Sequence, residues 1–379
     1  MVGLLALTGN AARLPAAPDG RFCDARARAG PGFARPSPHR VVRAASVPQP
    51  DSPPARFHRG TPLRCGIVRS PPTAMSRFTP LPALEFTPLP APPSGTGESP
   101  FWHPRERALY WVDIPGRQLH RFAVQTGEHR AWTFEAEPSC AAPRPDGGLV
   151  AGFRDGIFHF DPATGARRRI AAPPYDPKML RFNDGKADPQ GRFWLGTIHE
   201  ERQPRGSLYC LTLDALDRIF DDVANSNGLA WSPDGRTMYW TETKLATIFA
   251  FDFEPQGGTL SRRRVFASFP PKPADGSLAG YGGRPDGGAV DSEGCYWAAC
   301  FEGQRLARFA PDGTLLQSIP LPVRCPTMPC FGGDDLRTLY VTTAREKRPE
   351  AELAAQPWAG RVLQCRVPVP GLPTNFADV

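Results

Sequence analysis

From residue 97 onward the chain repeats one pattern. A turn carrying Asp or Pro with Gly gives way to a short aromatic or β-branched run, then a second run and another turn. The runs "ALYWVDI", "GLVAGF", "RFWLGTI", "TMYWTET", "CYWAAC" and "TLYVTT" align on Leu109, Gly148, Phe193, Met238, Tyr296 and Leu339, at intervals of 39, 45, 45, 58 and 43 residues. A period of about 40 to 50 residues is that of a four-stranded propeller blade, and six starts predict six blades. The turns "RPDGG", "DPATG", "DPQGR", "SPDGR", "DSEGC" and "APDGT" put Pro or Asp early and Gly late, as a type I turn followed by a left-handed residue requires. Helices fit badly, because 37 Gly and 46 Pro are spread through the chain and no stretch after residue 97 keeps apolar residues at helical spacing for three turns. The expected fold is therefore all-β, a six-bladed β-propeller over residues 77–379. "LPALEFTPLP", residues 81–90, is expected to close the ring against the last blade around "GRVLQCRVPV", since an open blade would leave a free strand edge. The longest interval holds "FPPKPADGSLAGYGGRPDG", read as a loop laid over one face.

Charge changes the picture only at the beginning of the chain. The formal net charge of +7 suggests a nucleic-acid binder, but residues 1–74 hold 11 Arg and 3 acids, and the remainder balances 34 basic against 35 acidic residues. Residues 1–76, rich in Arg and Pro, are expected to be a disordered extension. Three origins stay open for it: translation from an early start with Met75 the true one, an organelle targeting peptide, or a basic tail. Nucleic acid is excluded as a partner of the folded part. No run of about 18 apolar residues could cross a membrane. Nine scattered Cys without a CxxC pair fit neither a disulfide scaffold nor a zinc ribbon, and a cytoplasmic location is expected. The seven His form no HxxxH or HExxH pair, which argues against a histidine-built metal centre.

Four polar constellations stand just ahead of the aromatic strands: Glu98 in "GTGESPFW", Arg181 and Asn183 in "LRFNDGKAD", Asn227 in "ANSNGLAWSPDG", and Asp286 in "GRPDGGAVDSEG". Each alone is an ordinary turn or surface residue. Together, in four blades, they would converge on the propeller axis, where two carboxylates and an amide oxygen make a hard-oxygen site for one divalent cation: Ca, Zn, Mg, Mn or Fe(II). In "RFND" the period of a strand turns Arg181 and Asn183 to the channel and Phe182 to the core. Asp184 and Gly185 are expected to turn the chain, leaving Lys186 and Arg192 exposed.

Five ordered motifs, "GESPFWHPRERALYWVDI", "RFNDGKADPQGRFWLGT", "SNGLAWSPDGRTMYWTET", "PDGGAVDSEGCYWAAC" and "CFGGDDLRTLYVTTA", resemble the SMP-30/gluconolactonase/regucalcin family over about residues 77–370. The resemblance implies one catalytic divalent metal in the channel and hydrolysis of sugar lactones to aldonic acids. It implies Glu98, Asn227 and Asp286 as metal ligands and Arg181 and Asn183 as binders of the lactone, with Glu201 the nearest match for a further sugar contact although "TIHEERQPRG" departs from the usual pattern. Asp286 is the expected base, with acidification of the water by the metal an equal alternative. No GxSxG elbow supports a serine mechanism. His199 is read as a surface or structural residue and Cys330 as a packing one. The alternative function is a non-catalytic calcium-binding propeller. The small-molecule partner is a sugar lactone, and the oligomeric state is not readable.

Overall fold

The computed structural model describes residues 77–379. The expected disorder of residues 1–76 and the start at Met75 lie outside the described residues, as do Cys23 and Cys65. Six antiparallel four-stranded sheets follow one another along the chain. Blade one spans residues 97–133, blade two 138–171, blade three 180–223, blade four 226–268 and blade five 284–320. Blade six comprises Pro326–Gly332, Thr338–Thr343 and Leu363–Arg366, and its fourth strand comes from the other end of the domain. There Thr87 pairs with Gln364 and Pro88 with Leu363, so the ring closes where the sequence places it. The first strands of neighbouring blades touch all the way round.

Burial falls from the axis outward. In blade one, Gly97–His103 and Ala108–Asp113 are buried at every position, while Glu128–Thr133 is mostly exposed. The second strands, such as Ala108–Asp113 and Tyr296–Phe301, are covered on both faces by adjacent blades and so read as nearly continuous apolar runs rather than alternating ones. The aromatic strands are second from the axis. The polar constellations lie on the innermost strands, each one strand ahead of an aromatic strand as expected. Trp111, Trp194, Trp240 and Trp297 occupy the second strand of blades one, three, four and five, fully buried, and each contributes about 1.5–3 kcal/mol or more by leaving water. All seven described Cys are free and buried. The 58-residue interval carries an irregular loop between Ser268 and Arg284, and two short helical elements, a 3-10 turn at Thr243–Leu245 and an α-helix at Glu350–Ala355, depart from the all-strand pattern.

Candidate active site

Every innermost strand carries a register shift against its neighbour, and the polar residues sit at those shifts. In blade one pairing jumps from Glu98 to Phe101, in blade three from Phe182 to Gly185, in blade four from Asn227 to Ala230, and in blade five from Pro285 to Gly288. A β-bulge puts two residues opposite one and re-aims a side chain that regular pleating would bury against the next blade. In blade four the bulge needs Gly228: its φ is +62°, and an added Cβ would stand 2.3 Å from Thr241 Oγ1 and 2.4 Å from Tyr296 Oη.

The re-aimed side chains meet at one mouth of the channel, in a cavity of about 900 Å³ lined by Glu98, Arg181, Asn183, Asn227 and Asp286. Asn227 Nδ2 donates to Asp286 Oδ1 at 2.6 Å and to Thr243 Oγ1 at 2.8 Å, while its Oδ1 accepts from Asn183 Nδ2 at 3.0 Å. Arg181 Nη1 donates to Asn183 Oδ1 and to Phe182 O, both at 2.9 Å. As the strand period predicts, Phe182 is buried in the core behind. Asn183 Nδ2 also faces Ser226 O at 2.9 Å and Asn225 Oδ1 at 3.2 Å. Both its hydrogens are committed, so Asn183 can offer a ligand only the second lone pair of its oxygen and chiefly fixes Arg181 and Asn227.

The carboxylates are starved of donors. Glu98 accepts one hydrogen bond, from the Ser99 amide at 3.2 Å, and Asp286 accepts one, from Asn227. Burial, then repulsion from Asp286 and Asp184, raises Glu98 well above the ordinary carboxylate range. Asp286 is pushed up to about 7 by burial, with Asp184 adding to it against the pull of Arg284 and Arg202. Arg181 lies in the same enclosed space, where burial weakens its hold on the proton. Among the described residues there is no cluster of three or more His, Cys, Asp and Glu suited to a metal. The set at the mouth is two carboxylates and an amide, and Asn227 Oδ1 keeps one lone pair beyond its bond from Asn183. Two buried, under-donated carboxylates fit a hard divalent cation, whose charge would relieve their repulsion, and Asn227, which here turns Nδ2 to Asp286, would join them through Oδ1 after an amide flip.

Several expectations are corrected. Glu201 is exposed and does not line the cavity; its neighbour Glu200 does, bonded to Arg154 at 2.6 Å. The strand of blade three ends at His199 and the chain turns, so side-chain parity beyond it is set by the turn. Asp184 and Gly185 form a bulge within the strand Leu180–Ala187 rather than a turn. Lys186 is half-buried and donates to Gly288 O at 2.9 Å, and Arg192 is nearly buried against Asp188 at 2.6 Å. His199 is buried, with Nδ1 accepting from the Glu201 amide at 3.2 Å. Cys330 lies at the opposite mouth with its thiol pushed up to about 12 by burial, a packing residue as expected.

The sequence reading missed the cavity wall. Arg154 bridges Glu137 at 2.8 Å and Glu200. Glu302 receives Lys272 at 2.9 Å, Arg348 at 3.0 Å and Arg284. Although burial opposes it, the bond from Lys272 and the field of Arg284 hold Glu302 below its ordinary value. Lys272 comes from the inserted loop, which also lends Phe269, Pro271 and Tyr281 to the cavity. No shared motif marks these residues.

The molecule is thus a six-bladed propeller with a carboxylate–amide site at one mouth of its channel. Residues 96–345 match the SMP-30/Gluconolactonase/LRE-like region, and the chain belongs to this family. It is 42% identical over 284 residues to a protein of Pseudomonas putida named 6-deoxy-6-sulfogluconolactonase, an alignment covering 74% of this chain and 94% of that one. It is 36% identical to regucalcin of Oryctolagus cuniculus over 71% of this chain and 89% of the relative. The crystal structure of a calcium-binding protein, regucalcin, from Agrobacterium tumefaciens superposes with a TM-score of 0.72 at 26% identity, covering 79% of this chain and 98% of that one. Relatives named as lactonases support a lactonase enzyme acting on sugar lactones.

Proposed function

We propose that the protein is a divalent-metal-dependent sugar-lactone hydrolase with its reaction at the Glu98–Asn227–Asp286 mouth. The observation that carries this is the placing of two donor-starved carboxylates in one cavity with Arg181, a guanidinium that forms no ion pair among the described residues. Glu98, Asn227 and Asp286 would hold the ion, which supplies Lewis-acid polarisation of the lactone carbonyl. Arg181, oriented by Asn183, faces the oxygen on which negative charge develops as water adds. Asp286 would hold the ion through one carboxylate oxygen and take a proton from the attacking water with the other. The water oxygen bonds to C1, the bond from C1 to the ring oxygen breaks, and the proton passes to that leaving oxygen, giving the aldonic acid.

The test is proton release from glucono-δ-lactone by protein stripped of metal and resupplied with Ca, Mg, Mn, Zn or Fe(II). Loss of activity on stripping and its return with one of the ions are expected, with Glu98→Ala unable to recover. Hydrolysis that survives stripping overturns the metal, and ion binding without hydrolysis leaves a calcium-holding propeller.

A further inference from the structure

The cavity wall carries more positive charge than a neutral sugar can use. Eight basic side chains line it against six acidic ones, although the chain from residue 75 onward is nearly balanced. A dication at Glu98 and Asp286 would bring the cavity to a net charge of +4. Five of the eight wall cations are paired locally: Arg154 with Glu137 and Glu200, Lys272, Arg284 and Arg348 all with Glu302, and Lys347 with Glu346. Arg181 is bonded to Phe182 O and Asn183 Oδ1.

Arg202 differs from all of these. Its Nη1 is anchored on the backbone oxygens of His199 at 3.0 Å and Glu200 at 3.4 Å, and among the described residues its Nε and Nη2 make no hydrogen bond and it forms no ion pair. Its residue holds a left-handed φ of +58°, an uncommon conformation for a side chain of this size. It lies within the electrostatic reach of Glu200 first, then of Arg284 and Asp286, and Arg181 in turn feels it. The two carboxylates nearest it are occupied, Glu200 by Arg154 and Asp286 by its place at the ion site. Lys244, on the same wall, has no carboxylate partner among the described residues either. A fork anchored at one corner with two N–H groups open is the arrangement that takes a sulfonate, phosphate or carboxylate through paired, charge-assisted bonds.

Resting on the lactonase reading, we propose that the substrate is a sugar lactone carrying an anionic substituent remote from the reacting carbonyl, and that Arg202 is the residue that selects it. The positive cavity draws such a lactone in, Arg202 holds its anionic end, and the carbonyl is left to the Glu98–Asn227–Asp286 mouth.

The metal-loaded enzyme is assayed with glucono-δ-lactone and with its 6-phospho, 6-sulfo and 6-carboxylate counterparts. A preference of about 10- to 100-fold in kcat/KM for an anionic lactone over the neutral one is expected. Arg202→Gln should collapse that ratio, Arg202→Lys should keep part of it, and the rank order among the three anions identifies the group bound. Equal rates on charged and neutral lactones, or a ratio that survives in Arg202→Gln of unchanged melting temperature, overturns the proposal. Should no lactone be turned over, the hydrolysis reading fails, and calorimetric binding of 6-phosphogluconate against gluconate decides the present one. Tighter binding lost in Arg202→Gln sustains an anion site, and equal binding overturns it.

Discussion

Asp286 and Asp291 lie five residues apart on one inner strand and the turn that ends it, both buried, and the protein treats them in opposite ways. Asp291 Oδ1 accepts from the amides of Glu293 and Cys295, at 3.0 and 2.9 Å, and Oδ2 accepts from Trp297 Nε1 and Arg308 Nε, both at 2.9 Å. Asp286 accepts one bond. The contrast recurs in blade three, where Asp188 closes the strand begun by Arg181 and Asn183 and accepts from two amides, Arg192 Nε and Trp194 Nε1. The two mouths of the channel follow suit. The far mouth is an apolar hollow of about 270 Å³ lined by Pro100, Phe101, Met328 and Cys330 and by residues 372–375 of the C-terminal segment. That segment is tied down through Asn375 to Ala187 O, Ala377 to Pro143 O and Asp378 to Gly191 O. A buried carboxylate with four donors is a fastener for the fold. One with a single donor destabilises the fold and is open to a cation.

Removing a starved carboxylate should hurt activity far more than stability. Asp286→Ala and Glu98→Ala are each expected to lower kcat/KM by about 10³-fold or more, the scale of losing a group that acts on charge in the transition state. Their melting temperatures should equal or exceed that of the metal-free parent, because the burial cost goes with the carboxylate. A large drop in melting temperature in metal-free protein would show these groups to be fasteners as well.

At the far mouth the ranking reverses. Met328→Ala removes a buried side chain that packs against Gly287 beneath the bulge of blade five, and about 2–5 kcal/mol of stability should be lost in denaturant titration. KM for the lactone should stay within about twofold, since Met328 does not line the active cavity. A shift in KM larger than the change seen for other core truncations would mean that the two mouths are mechanically coupled.

The pH dependence separates the two kinds of carboxylate without a mutation. Folded Asp286 binds its proton up to about 7, far above its ordinary 3.8, so between those values the native state holds more protons than the unfolded chain. Stability contributed by that proton is fully present below about 3.8 and is lost as pH rises through about 7. Glu98 adds in the same direction. Metal-free protein is therefore expected to lose more than about 1 kcal/mol between pH 5 and 8, and saturating divalent ion should abolish the slope. A slope that persists with the ion bound assigns the titration to other groups.

These contrasts also mark what the residues disclose in sequence. The blades are legible because "DPQGR" and "DSEGC" repeat a Pro or Asp and Gly spacing, and Gly191 and Gly294 do take φ of +90° and +80°. Glu98, Arg181, Asn183, Asn227 and Asp286 all line one cavity, as expected from their place in four blades. Bulges are not legible, because two residues opposite one leave the alternation of a short strand looking unbroken. That is why Asp184 and Gly185 read as a turn, and why Lys186 was expected in solvent although it reaches Gly288 O. Past His199, strand parity no longer operates, which separates Glu200 from Glu201. Arg154, Arg202 and Glu302 enter from three blades by tertiary placement alone.

The smallest effect concerns one of the four bonds to Asp188. Trp194→Phe keeps most of the buried ring and deletes only the Nε1 donor, which stands 2.9 Å from Oδ2. Three donors to Asp188 remain, so the carboxylate is not orphaned, and the expected loss is about 1.5 kcal/mol, the low end for a bond to a charged acceptor. Lactone kcat/KM should be unaltered, because Asp188 and Trp194 do not line the active cavity. Asp188→Asn should cost more than Trp194→Phe, since it weakens the ion pair with Arg192 as well as the indole bond. If instead Asp188→Asn stabilises the fold, this carboxylate belongs with Asp286, and the number of donors would not be what distinguishes a fastener from a site.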